Sequence, residues 1–154
     1  MIRFEKITTK NVYTVCQLSR TLSDNHKKMV ADNAYSLAQA YVTPKAEPRA
    51  IYKDDQPVGF IMMHYGIEDD EPGGEDQAYL WRLMIATEHH GKGYGKAAMQ
   101  IVFDEVIKHG YSELITSCGQ GEGSPLEFYK TLGFEETGDI EHNELVLKVK
   151  LIHT

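Results

Sequence analysis

The sequence predicts an α/β (α+β) fold with seven strands and four helices, in the order β-α-α-β-β-β-α-β-α-β-β. Three observations carry this. Short apolar stretches with strand-like alternation recur between stretches with helical spacing. A strand over 79–86 runs straight into a glycine-rich turn that opens a helix. Two consecutive strands then close the chain as an antiparallel pair.

Each element has its own signal. Residues 2–7 alternate apolar and polar, as a half-buried strand does. Thr8 or Thr9 is placed to cap a helix running to about Arg20, with Val12, Val15, Cys16 and Leu18 on one side. A polar interval, 23–28, leads to a second helix over 33–41, stopped by Pro44. Strands at 49–53 and 58–65 flank the turn signal Asp54-Asp-Gln-Pro57 and form a hairpin. An acidic, glycine-rich loop spans 68–76, before the strand at 79–86 and the helix at 93–109. Gly110 ends that helix in the manner of a C-terminal cap glycine. A short strand at 114–118 follows. Ser124-Pro125 then opens a helix through Thr131, with proline in an early helical position. Strands at 135–140 and 144–152 complete the chain.

The turn after the strand at 79–86 holds most of the chemical information. Gly91, Gly93 and Gly95 free the backbone to approach a ligand, and Lys92 and Lys96 add positive charge. Amide N–H groups at a helix start form an anion site, so the segment predicts a diphosphate-bearing cofactor. The spacing excludes two common phosphate loops. A P-loop would need glycine where His90 stands and a hydroxyl where Ala97 stands. A dinucleotide fingerprint would need a third glycine at Lys96, and Glu113 lies at the wrong end of its strand for a ribose contact.

Composition narrows the class further. The 154 residues amount to one domain, 1–154, with ordinary hydrophobic (42%) and charged (25%) content. There is no apolar run of membrane-span length and no signal-peptide pattern at the N-terminus, which predicts a cytoplasmic protein with no membrane partner. A net charge of −7 argues against nucleic acid and for a cationic partner. Cys16 and Cys118 are too far apart in sequence for a redox or zinc motif. The adjacent His89-His90 pair lacks ligand spacing, and His64, His109 and His142 are scattered, so no metal is expected.

Two motifs in order, His90-Gly-Lys-Gly93-Tyr-Gly95 and Phe128-Tyr129-Lys-Thr-Leu-Gly133-Phe134, resemble the signature of the GNAT superfamily of acetyl-CoA-dependent N-acetyltransferases. The resemblance covers essentially the whole chain. It departs at His90, where the family usually has Gln or Arg. It implies a mixed, mostly antiparallel central sheet of about seven strands flanked by about four helices. It also implies acetyl-CoA as cosubstrate, a small-molecule amine as acceptor, and a homodimer as a common arrangement. By the same resemblance His90, Gly91, Lys92, Gly93, Tyr94, Gly95 and Lys96 bind the cofactor's diphosphate, and the backbone of Leu83, Met84 and Ile85 pairs with its pantetheine arm.

The chemistry asks for a proton donor to the leaving thiolate and a route for the amine's proton. Tyr129 is the candidate donor, since a phenol is close to a thiol in acidity; the competing reading packs it between Phe128 and Leu132. Relatives often place the base on the strand before the glycine turn, but Tyr79, Trp81 and Arg82 stand there. Glu75, Asp76, Glu144 or a water chain remain as alternatives. Trp81 and Arg82 are expected on opposite faces of their strand. Trp81 is read as core, whereas Arg82 either pairs with a carboxylate or lines the acceptor cleft. Cys118 is read as packing rather than as a nucleophile.

Within the family, Leu80-Trp-Arg-Leu-Met-Ile, Asn33-Ala-Tyr-Ser-Leu-Ala-Gln-Ala and Gly121-Glu-Gly-Ser-Pro resemble bacterial spermine/spermidine acetyltransferases. The six acids between Glu68 and Asp76 suit a polycation such as spermidine or spermine, or simply form a solvated loop. The alternatives are a GNAT acting on an amino acid, an aminoglycoside or a protein N-terminus, and a non-catalytic CoA-binding sensor.

Overall fold

A computed structural model describes residues 1–66 and 76–151. Seven strands form one sheet: β1 (Ile2–Lys6), β2 (Ala46–Lys53), β3 (Gln56–Tyr65), β4 (Ala78–Ile85), β5 (Glu113–Cys118), β6 (Glu135–Glu141) and β7 (Glu144–Lys150). Their order across the sheet is β1-β2-β3-β4-β5-β7-β6. Every neighbouring pair is antiparallel except β4 with β5. The expected mixed, mostly antiparallel sheet of seven strands is therefore what the chain forms.

Among the described residues five α-helices accompany it, one more than the sequence predicts: α1 (Val12–Leu18), α2 (Asp24–Lys27), α3 (Asn33–Val42), α4 (Tyr94–Lys108) and α5 (Leu126–Thr131). The extra one is α2, in the stretch read as a polar interval. It is four residues long, too short to show a hydrophobic period, and the Ser23 hydroxyl caps it by accepting from the His26 amide at 3.3 Å. The start of α1 also differs from expectation. Asn11, not Thr8 or Thr9, occupies the cap position. Its side chain turns back, accepting from the Thr8 amide at 2.8 Å and donating to the Lys6 carbonyl at 3.0 Å, so it ties the helix to the end of β1.

The sheet is covered on both faces. On one, α4 lays Ala98, Met99, Val102 and Val106 against Ile61, Met63, Leu80 and Leu114. On the other, Val15 and Leu18 of α1 pack with Phe60, Met62 and Met84. Burial on both faces explains why β3 reads as a continuous apolar run from Val58 to Met63 rather than as an alternation.

A bulge in β4 corrects one expectation. Met63 pairs with Leu80 and Met62 with Arg82, so Trp81 is an extra residue against β3. The side-chain phase shifts there. Trp81 packs in the α1/α3 layer, and Arg82 reaches Ser36 and Gln39 of α3 on the same side. The two side chains do not alternate to opposite faces, because the bulge cancels the period of two.

Candidate active site

β4 and β5 pair only over Ala78–Leu80 with Leu114–Thr116. At the last step the Thr116 hydroxyl donates to the Leu80 carbonyl at 2.9 Å and closes the ladder. Beyond it the strands diverge, and a cleft of about 1370 Å³ opens between them. Hydrogen-bonding direction alternates along an antiparallel strand. The Ala86 amide bonds the Val58 carbonyl of β3 at 2.9 Å, so Met84 and Arg82 also turn their backbone to β3. Leu83 and Ile85 turn theirs to the open side. Of the three residues expected to pair with an extended ligand, those two present backbone groups to the cleft, while Met84 buries its side chain beside Asn33.

At the far end of the cleft the glycine turn meets α4. Gly93 is the N-terminal cap in the left-handed region (φ 79°), and Gly91 shares that conformation (φ 77°). No side chain caps the helix, so the amides of Tyr94, Gly95 and Lys96 keep no intrahelical acceptor. A Cβ at Gly95 would make ordinary van der Waals contact with the Phe128 ring, 3.4 Å away, so packing does not demand glycine there. Lys92 and Lys96 are exposed beside the turn. His90 directs Nε2 to the Ile85 carbonyl at 2.6 Å and so braces the turn against the end of β4. The His26 ring lies edge-on to it at 5.5 Å.

Tyr129, on α5, is buried under the fork, its ring edge-on to Phe128 and Phe134. Burial pushes its pKa up, with the Thr116 hydroxyl partly offsetting this, so the phenol stays protonated at neutral pH. Across the cleft runs a chain of hydroxyls whose members are scattered in the sequence. Tyr79 Oη and Ser117 Oγ are 2.7 Å apart, and Ser117 donates to Glu144 Oε1 at 3.2 Å. Ser117 has one proton and gives it to Glu144, so Tyr79 must be the donor to Ser117. Burial raises the Tyr79 pKa, which keeps it a neutral link. Glu144 is aimed inward by a tight β6–β7 hairpin whose two turn residues, His142 and Asn143, both take positive φ (49° and 65°).

The other expected site residues fall as follows. Asp76 accepts from Tyr111 at 2.6 Å through Oδ1. Glu75, with the acids from Glu68 to Glu71, lies outside the described residues. Arg82 lines the cleft, its guanidinium 5.2 Å over the Trp81 ring. Cys118 is buried, and burial pushes its thiol up, away from the thiolate a nucleophile needs. Among the described residues no group of three or more His, Cys, Asp or Glu is arranged to hold a metal ion, and no helix is long and apolar enough to cross a membrane.

A strand fork that ends at a bare helix N-terminus, on this sheet order, is the arrangement of an acyl-CoA-type transferase fold. Residues 13–134 match the model of the Acetyltransferase (GNAT) family, and the chain belongs to that family. Rat N-acetyltransferase family 8 member 2 is 32% identical over 69 residues, 45% of this chain and 30% of the rat protein. The chain thus matches only about a third of that relative's length. An acetyltransferase structure from Thermus thermophilus superposes with a TM-score of 0.77 at 18% identity, covering 98% of this chain and 97% of the other. A GNAT family acetyltransferase from Elizabethkingia anophelis, with acetyl-CoA bound, superposes with a TM-score of 0.68 at 14% identity over 98% and 97%.

Proposed function

We propose that this protein transfers the acetyl group of acetyl-CoA directly to a primary amine of a small molecule. The observation that carries this is the fork itself: a β4 edge with no strand partner, open at Leu83 and at the Ile85 amide while His90 holds the Ile85 carbonyl, leads from Tyr129 to the uncapped start of α4. The diphosphate fits the amides of Tyr94, Gly95 and Lys96, with Lys92 and Lys96 neutralising charge. The pantetheine arm completes the free edge of β4, which sets the thioester beside Tyr129 and Thr116.

The amine arrives protonated and must lose a proton to attack. Its proton passes to Tyr79, that of Tyr79 to Ser117, and that of Ser117 to Glu144, which ends as the carboxylic acid. The amine nitrogen then bonds the thioester carbonyl carbon. As the carbon–sulfur bond breaks, the thiolate takes the Tyr129 proton. The proton shed by the acylated nitrogen returns to the Tyr129 phenolate, and the one held by Glu144 leaves to solvent, so the enzyme ends as it began. The reading treats residues 1–154 as one domain and the protein as a cytoplasmic enzyme, in keeping with two free thiols.

A polyamine acceptor, spermidine or spermine, is supported by Glu141 and Glu144 at the cleft and by the acid-rich run in the sequence. Arg82 in the same cleft favours an amine that also carries an anionic group. The deciding experiment measures CoA release from acetyl-CoA with spermidine, spermine, monoamines and amino acids. Saturable turnover on any of these supports acetyl transfer. Tight CoA binding with no turnover on any amine would leave a CoA sensor instead.

A further inference from the structure

We propose that Arg82 holds an anionic group of the acceptor, so that the amine acetylated is one that carries a carboxylate a few bonds away, as an amino acid does. This rests on the acetyl-transfer reading above and names its substrate class.

Arg82 faces the cleft because of the bulge. It has the same parity as Leu80, which packs against α4, and without the extra residue at Trp81 it would point into that apolar layer. The bulge turns it to the α3 side instead, one pairing step past the point where the β4–β5 ladder ends. A half-buried guanidinium is costly without a charged partner. Burial indeed pulls its pKa below the usual arginine value, with Tyr79 and Glu144 pulling the other way, yet it remains a cation. Its hydrogen-bond acceptors among the described residues are all neutral, and Glu144 acts on it only through space: Nε donates to Ser36 Oγ at 3.2 Å, Nη1 to the Trp81 carbonyl at 3.0 Å, and Nη2 to Gln39 Oε1 at 2.7 Å. Those bonds use three of five N–H donors, so among the described residues one N–H on each terminal nitrogen is left for a ligand's acceptor.

The neutral partners do more than satisfy donors. Held by α3 on one side and lying over Trp81, the guanidinium is fixed before any ligand arrives, which lowers the entropy lost on binding. Glu144 supplies the opposite charge from β7, at the end of the hydroxyl chain. A zwitterion fits this polarity, with its ammonium toward Tyr79 and Glu144 and its carboxylate on Arg82. A polyamine would set a second ammonium against Arg82 and lose affinity.

The test pairs each common amino acid with its decarboxylated amine, such as lysine with cadaverine, phenylalanine with phenethylamine and histidine with histamine, and adds spermidine. CoA release is followed for wild type, R82K and R82M, and binding of the same compounds to the CoA complex is followed by calorimetry. The expected result is at least one amino acid preferred over its decarboxylated amine. R82M should raise its KM about 10–100-fold, the scale of a lost hydrogen-bonded charge, while the decarboxylated amine's KM moves by less than about threefold. R82K should recover part of the loss. The proposal is overturned if no amino acid outperforms its decarboxylated amine. It is equally overturned if R82M lowers turnover on all amines alike, since Arg82 would then only tie α3 to β4. If no amine turns over, acetyl transfer fails as the function, but amino-acid binding to the CoA complex that R82M abolishes would still support the anion site. Binding that ignores the carboxylate would overturn it.

Discussion

The two ends of the cleft are built from different materials. The end proposed for the cofactor is six consecutive residues, 91–96, whose contribution is mainly backbone: positive φ at two glycines and three amides with no intrahelical acceptor. The end proposed for the acceptor is built from side chains, with Ser36 and Gln39 on α3, Tyr79 and Arg82 on β4, Ser117 on β5, Tyr129 on α5 and Glu144 on β7. A site made of backbone tolerates changes of side chain. His90, where the family usually has Gln or Arg, still braces the turn through a bond to the Ile85 carbonyl. A site made of side chains has no such tolerance, so each substitution there should change the chemistry rather than the hold on the cofactor.

The sharpest separation should come from Tyr129. Y129F removes the hydroxyl proposed as proton donor and leaves the ring packing on Phe128 and Phe134 intact. Turnover should fall about 10²–10³-fold, within the usual range for a general acid, while acetyl-CoA affinity by calorimetry changes little. Turnover within a few-fold of wild type would remove the assigned role. Gly93 should behave in the opposite sense. With φ at 79°, a β-branched residue is strained, and its side chain would also stand where a diphosphate approaches. G93V should weaken acetyl-CoA binding by about 10–100-fold, the equivalent of 1–3 kcal/mol of strain and blocked approach. Normal affinity in G93V would mean that the diphosphate lies elsewhere and the division between the ends is wrong.

Glu144 sharpens the acceptor side. E144Q keeps the bond from Ser117 but cannot accept the proton at the end of the chain. kcat/KM should fall about 10-fold near pH 7 and recover as the pH approaches the amine's own pKa, because free amine then needs no base. A pH profile parallel to wild type would show that protons leave by another path.

The same division explains what the sequence made legible. A contiguous backbone site leaves glycines at fixed spacing, so residues 91–96 and the element order could be read directly. The hairpins and the helix over Tyr94–Lys108 carried strong periodic signals, and their bounds came out within a few residues. The Tyr79–Ser117–Glu144 chain could not be read. Its members are 38 and 27 residues apart and meet only because β4, β5 and β7 are neighbours in the sheet. Glu144 stood among several candidate acids with nothing to select it. The bulge at Trp81 was equally hidden, because a single unpaired residue in an apolar strand leaves the hydrophobic pattern looking regular on both sides. Helix α2 was missed for want of length.

The smallest expected effect is on alkaline stability, and it too should belong to the side-chain end. Burial raises the pKa of Tyr129 and Tyr79 above the value of about 10 for an exposed phenol. The folded state therefore holds these protons after the unfolded chain has released them. Their contribution to stability is complete below about pH 10 and is lost as the pH rises toward the folded-state values. Each such group costs up to about 1.4 kcal/mol per pH unit above that point, which for a domain of this size is roughly 3–6 °C in Tm. Between pH 10 and 11 the wild-type Tm should fall by more than that of Y129F, which has one ionisable phenol fewer. G93A, altered only at the backbone end, should show the full wild-type slope from a different starting Tm. If Y129F loses stability as steeply as wild type, the Tyr129 phenol is not sealed from solvent as its burial under the fork requires.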